Sequence, residues 1–145
     1  MLNNLLETLK VSEYIVKDVV VLRNTNTTLS EAASIMANKD IGSLVVIDSN
    51  DRVIGIITER NIIKAIAENL DLNKETVGDH MNKNVETISE DALIIEVLKK
   101  IIEKGYEHYP IVDGEGRLKG LLSLKDISRA AFRSIIAIIS TLSTK

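Results

Sequence analysis

Two stretches of the 145-residue chain set a glycine, a hydroxyl and a polar side chain at one repeated spacing. In Gly120-Leu121-Leu122-Ser123-Leu124-Lys125-Asp126 the polar pair is Ser123 and Asp126; in Gly55-Ile56-Ile57-Thr58-Glu59-Arg60-Asn61 it is Thr58 and Asn61. One chemistry open to such a pair is structural. A hydroxyl at the N-cap with an acid three positions on is a capping box, and both suit the positive end of a helix. A second chemistry is binding. The free N–H groups of a helix start make an anion site, and a glycine ending a buried strand lets another group approach the backbone. A carboxylate such as Asp126 can also accept two charge-assisted hydrogen bonds from a vicinal diol, as on a ribose. Together these suit a nucleoside with a phosphate. Asn61 lacks the charge, although its amide oxygen can still accept from a hydroxyl, so the Asp126 stretch ranks first.

The elements around these stretches also repeat. The two glycines are 65 residues apart, as are Thr58 and Ser123, and Asn61 and Asp126, which marks a tandem of two similar halves. Leu2, Leu5, Leu6 and Leu9 have helical spacing and predict an N-terminal helix over 1–10. The first half, 11–70, reads as a short β-run at Val19–Leu22, a helix from Leu29 to Met36, and strands Leu44–Ile47 and Val53–Ile57 around a turn-rich loop. A helix from Glu59 to Glu68 completes it. Nearly all-apolar strands suit a sheet covered on both faces. Residues 71–76 form a polar linker. The second half, 77–130, repeats the order: a strand at Val85–Ile88, a helix at Ala92–Lys104, a hairpin of Tyr109–Asp113 and Leu118–Leu122, and a final helix. Val77-Gly78-Asp79-His80-Met81 matches Val11-Ser12-Glu13-Tyr14-Ile15 at an offset of 66, so the first half carries one extra residue, in the loop near 23–26. Each half is thus β-α-β-β-α, and the fold class is α+β, with two units packed by a pseudo-twofold relation.

The last helix extends through 131–145. Ile127, Ala131, Ser134, Ile138 and Leu142 form the expected core stripe, while Ile135, Ile136 and Ile139 widen the apolar surface beyond one face. Such a helix needs burial, against the N-terminal helix or, as favoured here, in a homodimer interface. Lys125, Arg129 and Arg133 form a basic stripe that reads as a solvated face. Pro110, which cannot donate to a ladder, is expected at an irregular or edge position, and His80 is expected as a solvated residue of a short turn.

Composition narrows the function classes. The formal net charge of −3 disfavours general nucleic-acid affinity. With no cysteine, disulfides and thiolate metal sites are excluded. The two histidines, His80 and His108, have no metal-ligand spacing, and no Gly-Lys-(Ser/Thr) phosphate loop is present. No catalytic constellation emerges, so the expectation is a protein that is not an enzyme and needs no metal. Met1-Leu2-Asn3-Asn4 lacks the features of a signal peptide, and the apolar run Ser134–Leu142 is far below the ~20 residues that span a bilayer. The expected location is cytoplasmic.

The repeated Gly-x-x-(Thr/Ser)-x-x-(Asp/Asn) stretch, the preceding Tyr109-Pro110-Ile111-Val112-Asp113 and Leu44-Val45-Val46-Ile47-Asp48, and the β-α-β-β-α order resemble a CBS-domain pair, the family named after cystathionine β-synthase. The resemblance covers about residues 11–130. It implies a stand-alone regulatory module binding AMP, ADP, ATP or S-adenosylmethionine in clefts between the halves, with no required cofactor. In the first cleft, the resemblance gives Asp126 the ribose hydroxyls and Ser123 the ribose or phosphate. The base would lie against Lys17, Asp18, Val19, Val20, Ile41 and Gly42, with Leu121 beneath; His108 is the main group for the phosphates, and Ser43 is its equivalent in the first half. The second cleft would use Ile56, Thr58 and Asn61 with Lys83, Asn84, Val85, Glu86, Tyr106 and Glu107. Three functions follow: an adenosine-ligand sensor signalling to an unidentified effector protein, a dimeric scaffold with vestigial clefts, and, disfavoured by charge, a nucleic-acid-associated protein.

Overall fold

The computed structural model describes residues 10–13, 15 and 17–143. The helix expected over Leu2–Leu9 lies outside them. The first repeat runs β1 (Val21–Leu22), α1 (Leu29–Lys39), β2 (Ser43–Ile47), β3 (Val53–Thr58) and α2 (Glu59–Ala67). The second runs β4 (Ile88–Ser89), α3 (Ile94–Lys104), β5 (His108–Val112), β6 (Leu118–Ser123) and α4 (Leu124–Ser143). Each repeat is a three-stranded mixed sheet. The middle strand pairs in parallel with the short first strand and antiparallel with the third, so the orders are β1-β2-β3 and β4-β5-β6.

Local chemistry explains the boundaries. Thr28 caps α1 with a complete box: the Glu31 N–H donates to its hydroxyl at 3.1 Å, and the Thr28 N–H donates to the Glu31 carboxylate at 3.0 Å. In both hairpins an aspartate side chain gathers the turn. Asp48 accepts from the N–H groups of Asn50 and Arg52, and Asp113 from those of Glu115 and Arg117.

Alternation along β2 sorts its side chains between two cores. Leu44 and Val46 face the helices of the first repeat, in a cluster with Leu29, Met36, Ile57 and Ile62. Val45 and Ile47 face the other way, joining Ile56, Val19, Val85, Leu118 and Leu121 in a central layer between the repeats. All five residues of β2 are buried, as the unbroken apolar pattern predicts. At their tips the two hairpins pair with each other: the Val53 N–H donates to the Gly116 carbonyl at 3.3 Å and the Leu118 N–H to that of Asp51 at 2.9 Å.

The segments that lead into the repeats are exchanged. Val77, just before the second repeat's first strand, is fully buried in the core of the first. Its N–H donates to the Thr27 carbonyl at 2.8 Å, and the Gly78 N–H to that of Thr25 at 2.8 Å. Val11 is buried reciprocally in the second core, its N–H donating to Ala92 at 3.0 Å.

Three expectations are corrected. Only Ile127 of the proposed α4 stripe packs, partly buried, on the second core; Ala131, Ser134, Ile138 and Leu142 are exposed, because the helix meets β6 with its start and then projects past the sheet. Pro110 is fully buried inside β5, the middle strand of its sheet. At the matching first-sheet pair, Val45 and Ile56, the Ile56 N–H and C=O both turn away to Asn82. Pro110, opposite Leu121, occupies the same kind of pair, where a missing N–H costs no bond between β5 and β6. His80 is partly buried and held by Glu75, 2.7 Å from Nε2. No helix among the described residues is long and apolar enough to cross a membrane.

Candidate functional site

β3 and β6 each end in a hydroxyl residue that caps the next helix. Thr58 is extended, with φ −120° and ψ 164°, and its hydroxyl accepts weakly from the Asn61 N–H at 3.4 Å. The Ser123 hydroxyl accepts from the Asp126 N–H at 3.0 Å and donates to Asp126 Oδ2 at 2.6 Å. A matching latch secures both helix starts: the Glu59 N–H donates to the Gly42 carbonyl at 3.0 Å, and the Leu124 N–H to that of Glu107 at 2.8 Å. The loop before the middle strand is thereby tied to the turn after the third strand in each repeat.

A cavity of about 880 Å³ opens beside the Thr58 turn. One wall is β3 and the start of α2. Another is the segment 81–86, fixed by paired backbone hydrogen bonds between Ile56 and Asn82 at 2.9 and 3.0 Å. The third is the loop 105–108, braced where the Tyr106 N–H donates to the buried Tyr109 hydroxyl at 3.1 Å. The tyrosine rings meet edge to face at 6.2 Å. Burial pushes the Tyr109 phenol upward, keeping it neutral.

Of the residues expected in the second cleft, Ile56, Thr58, Lys83, Asn84, Val85, Glu86, Tyr106 and Glu107 line this cavity. Asn61 does not line it. Its Oδ1 accepts from both the N–H and the hydroxyl of Thr58, at 2.8 and 2.9 Å, while its NH2 points to Asn82 Oδ1 at 3.5 Å. From the first set, Gly42 and His108 also border the cavity. The others lie elsewhere. Val19 and Leu121 pack in the central layer, Val20 and Ile41 against the first core, and Lys17 and Asp18 are exposed. Ser43 is 3% exposed and its hydroxyl has no hydrogen-bond partner among the described residues.

Burial pushes the half-buried His108 imidazole below its ordinary value, against the opposing influence of Glu107, Glu59 and Asp126. Glu86 is lowered by its hydrogen bond from Lys100, 2.8 Å away. Among the described residues, no group of three or more His, Asp or Glu side chains is placed to hold a metal ion.

Sequence reasoning missed Glu59, Arg60, Ile63, Asp79, Met81, Asn82 and Gly105 as lining residues, and it found Glu86. The repeat offset pairs Val77–Met81 with Val11–Ile15 but does not say which repeat either segment packs on, so the contact of Met81 and Asn82 with the first repeat was hidden. Gly55 shows the effect: a side chain there would collide with the Met81 thioether. The close approach read from that glycine is real, and Met81 makes it.

Residues 11–68 and 77–133 each match the CBS domain family. The chain is 42% identical over 121 residues to an uncharacterized 17.7 kDa protein of Acidianus ambivalens, an alignment covering 83% of this chain and 72% of that one. A CBS-domain pair solved in complex with 5′-methylthioadenosine and S-adenosyl-L-methionine matches with a TM-score of 0.77 at 30% identity, covering 86% of this chain and 97% of that one. A CBS domain protein from Pyrobaculum aerophilum complexed with AMP matches at 0.74 and 26% identity, covering 81% and 89%. In further curated relatives the chain spans from 62% of the length down to 20%.

Proposed function

The chain belongs to the CBS-domain family, and on that premise we propose that it is a non-catalytic sensor, binding an adenosine-containing ligand between its repeats and passing the bound state to an effector protein. The cavity of about 880 Å³ carries this reading. It draws walls from both repeats, and its volume is that of a small-molecule site. The relatives solved with adenosine compounds support the ligand class. Ser123 and Asp126 do not line this cavity; Asp126 is the ribose acceptor we favour for a ligand in the first cleft. A carboxylate has about four acceptor positions, and the Ser123 hydroxyl takes one of them.

The competing reading, a scaffold with vestigial clefts, is favoured by one observation: Thr58 already occupies the Asn61 oxygen. Melting temperature separates the two. A bound ligand at 100 times its Kd stabilises the fold by roughly 2.7 kcal/mol, so AMP, ADP, ATP or S-adenosylmethionine should raise it. Asp126→Ala should remove the part of the rise that comes from the first cleft, measured against its own apo form because loss of a cap costs on the order of 1 kcal/mol. No rise with any compound would favour the scaffold.

We also infer a homodimer joined through α4. Phe132, Ile135, Ile136, Ile138, Ile139 and Leu142 of this helix are each 50% exposed or more, an apolar surface larger than scattered residues explain.

A further inference from the structure

The charged lining of the cavity is acidic on balance. Glu59, Asp79, Glu86 and Glu107 line the cavity against Arg60 and Lys83. Glu86 is neutralised by Lys100, and the Asp79 carboxylate accepts from the Thr76 hydroxyl at 3.0 Å. A hydroxyl donor removes no charge, so Glu59, Asp79 and Glu107 are left, three carboxylates against the two cations Arg60 and Lys83. The Glu59 carboxylate lies over Gly42, 3.3 Å from where a β-carbon would stand there. Glu107 directly precedes His108. Glu107, Glu59 and Asp126 act on His108 against the effect of burial. Its imidazole, pushed toward neutrality by burial, gives little positive charge in return. The α2 start adds the partial charge of a helix end, about half an elementary charge, which is less than the single negative charge by which these carboxylates exceed the cations.

Resting on the adenosine reading above, we propose that the cavity selects adenosine compounds whose 5′ group is neutral or positively charged over nucleoside polyphosphates. Each added phosphate brings negative charge toward Glu59 and Glu107, whereas a neutral or cationic group meets no such opposition. These side chains are exposed, so the discrimination is screened by salt; the Debye length is ~8 Å at physiological ionic strength.

Calorimetric titration of the full chain with adenosine, S-adenosylmethionine, AMP and ATP, at low and physiological ionic strength, tests it. The expected result is S-adenosylmethionine binding at least tenfold tighter than ATP at low salt, with adenosine and AMP between them and the spread narrowing as salt rises. Glu59→Gln combined with Glu107→Gln should tighten ATP about tenfold and leave adenosine within about threefold. Glu107→Gln alone, away from the helix start, should move ATP in the same direction if the double variant is destabilised. Tighter ATP than S-adenosylmethionine binding in the unmodified chain, or a ratio unmoved by the substitutions, overturns the selectivity while the adenosine reading stands. Absence of binding by all four compounds overturns both.

Discussion

Asp113 shows how much one side chain can organise. Burial alone would raise its carboxyl, but the Arg117 and Glu115 N–H groups and the Arg117 guanidinium hold it at about 2, below the ordinary 3.8. Between those values the unfolded chain binds more protons, so this stabilisation is present above about pH 4 and is lost as pH falls toward 2. Asp113→Asn should flatten the acid limb of stability, read as the urea midpoint against pH. The aspartate was legible only as a turn residue, since a spacing does not reveal how many donors converge. Asn61 illustrates the same limit: its acceptor chemistry was readable, but its use by Thr58 depends on the backbone geometry of the cap.

At the scale of elements, periodicity and turn chemistry located the helices and hairpins, because each apolar face has a core to fill. They failed where packing decides. Val85 reads as the start of a strand, yet the strand begins only at Ile88 and Val85 packs against the central layer ahead of it. The α4 stripe was read as core, but the helix outruns its sheet. The segment 77–82 gives an element-scale prediction. Gly55→Ala would drive a methyl group into the Met81 side chain, at a cost of about 1–3 kcal/mol. Met81→Ala in the same chain should recover part of that loss, measured as a coupling energy in chemical denaturation.

At the scale of the molecule, the exchanged segments make the repeats interdependent. Val11 and Val77 each complete the core of the other repeat, and that reciprocity was hidden in a sequence that reads as two consecutive units. The apolar face of α4 gives the prediction at this scale. Ile135→Glu with Ile139→Glu should convert the proposed dimer to monomer in sedimentation while leaving the melting temperature of the monomer nearly unchanged, because neither residue is buried within the chain. A monomeric unmodified chain would refute the dimer.

The paired hairpin tips have a mechanical consequence. They fasten the repeats at one end of β2 and β5, while the cavity lies toward the opposite ends, beside Gly42 and His108. From Ser43 to Ile47 is four residue steps, a lever arm of roughly 13 Å at the usual rise. Tweezers joined this way have their fulcrum at the tips and their jaws at the cavity. On the proposed reading, a ligand between the repeats would act at the jaws, where a given rotation about the tips moves the starts of α2 and α4 farthest.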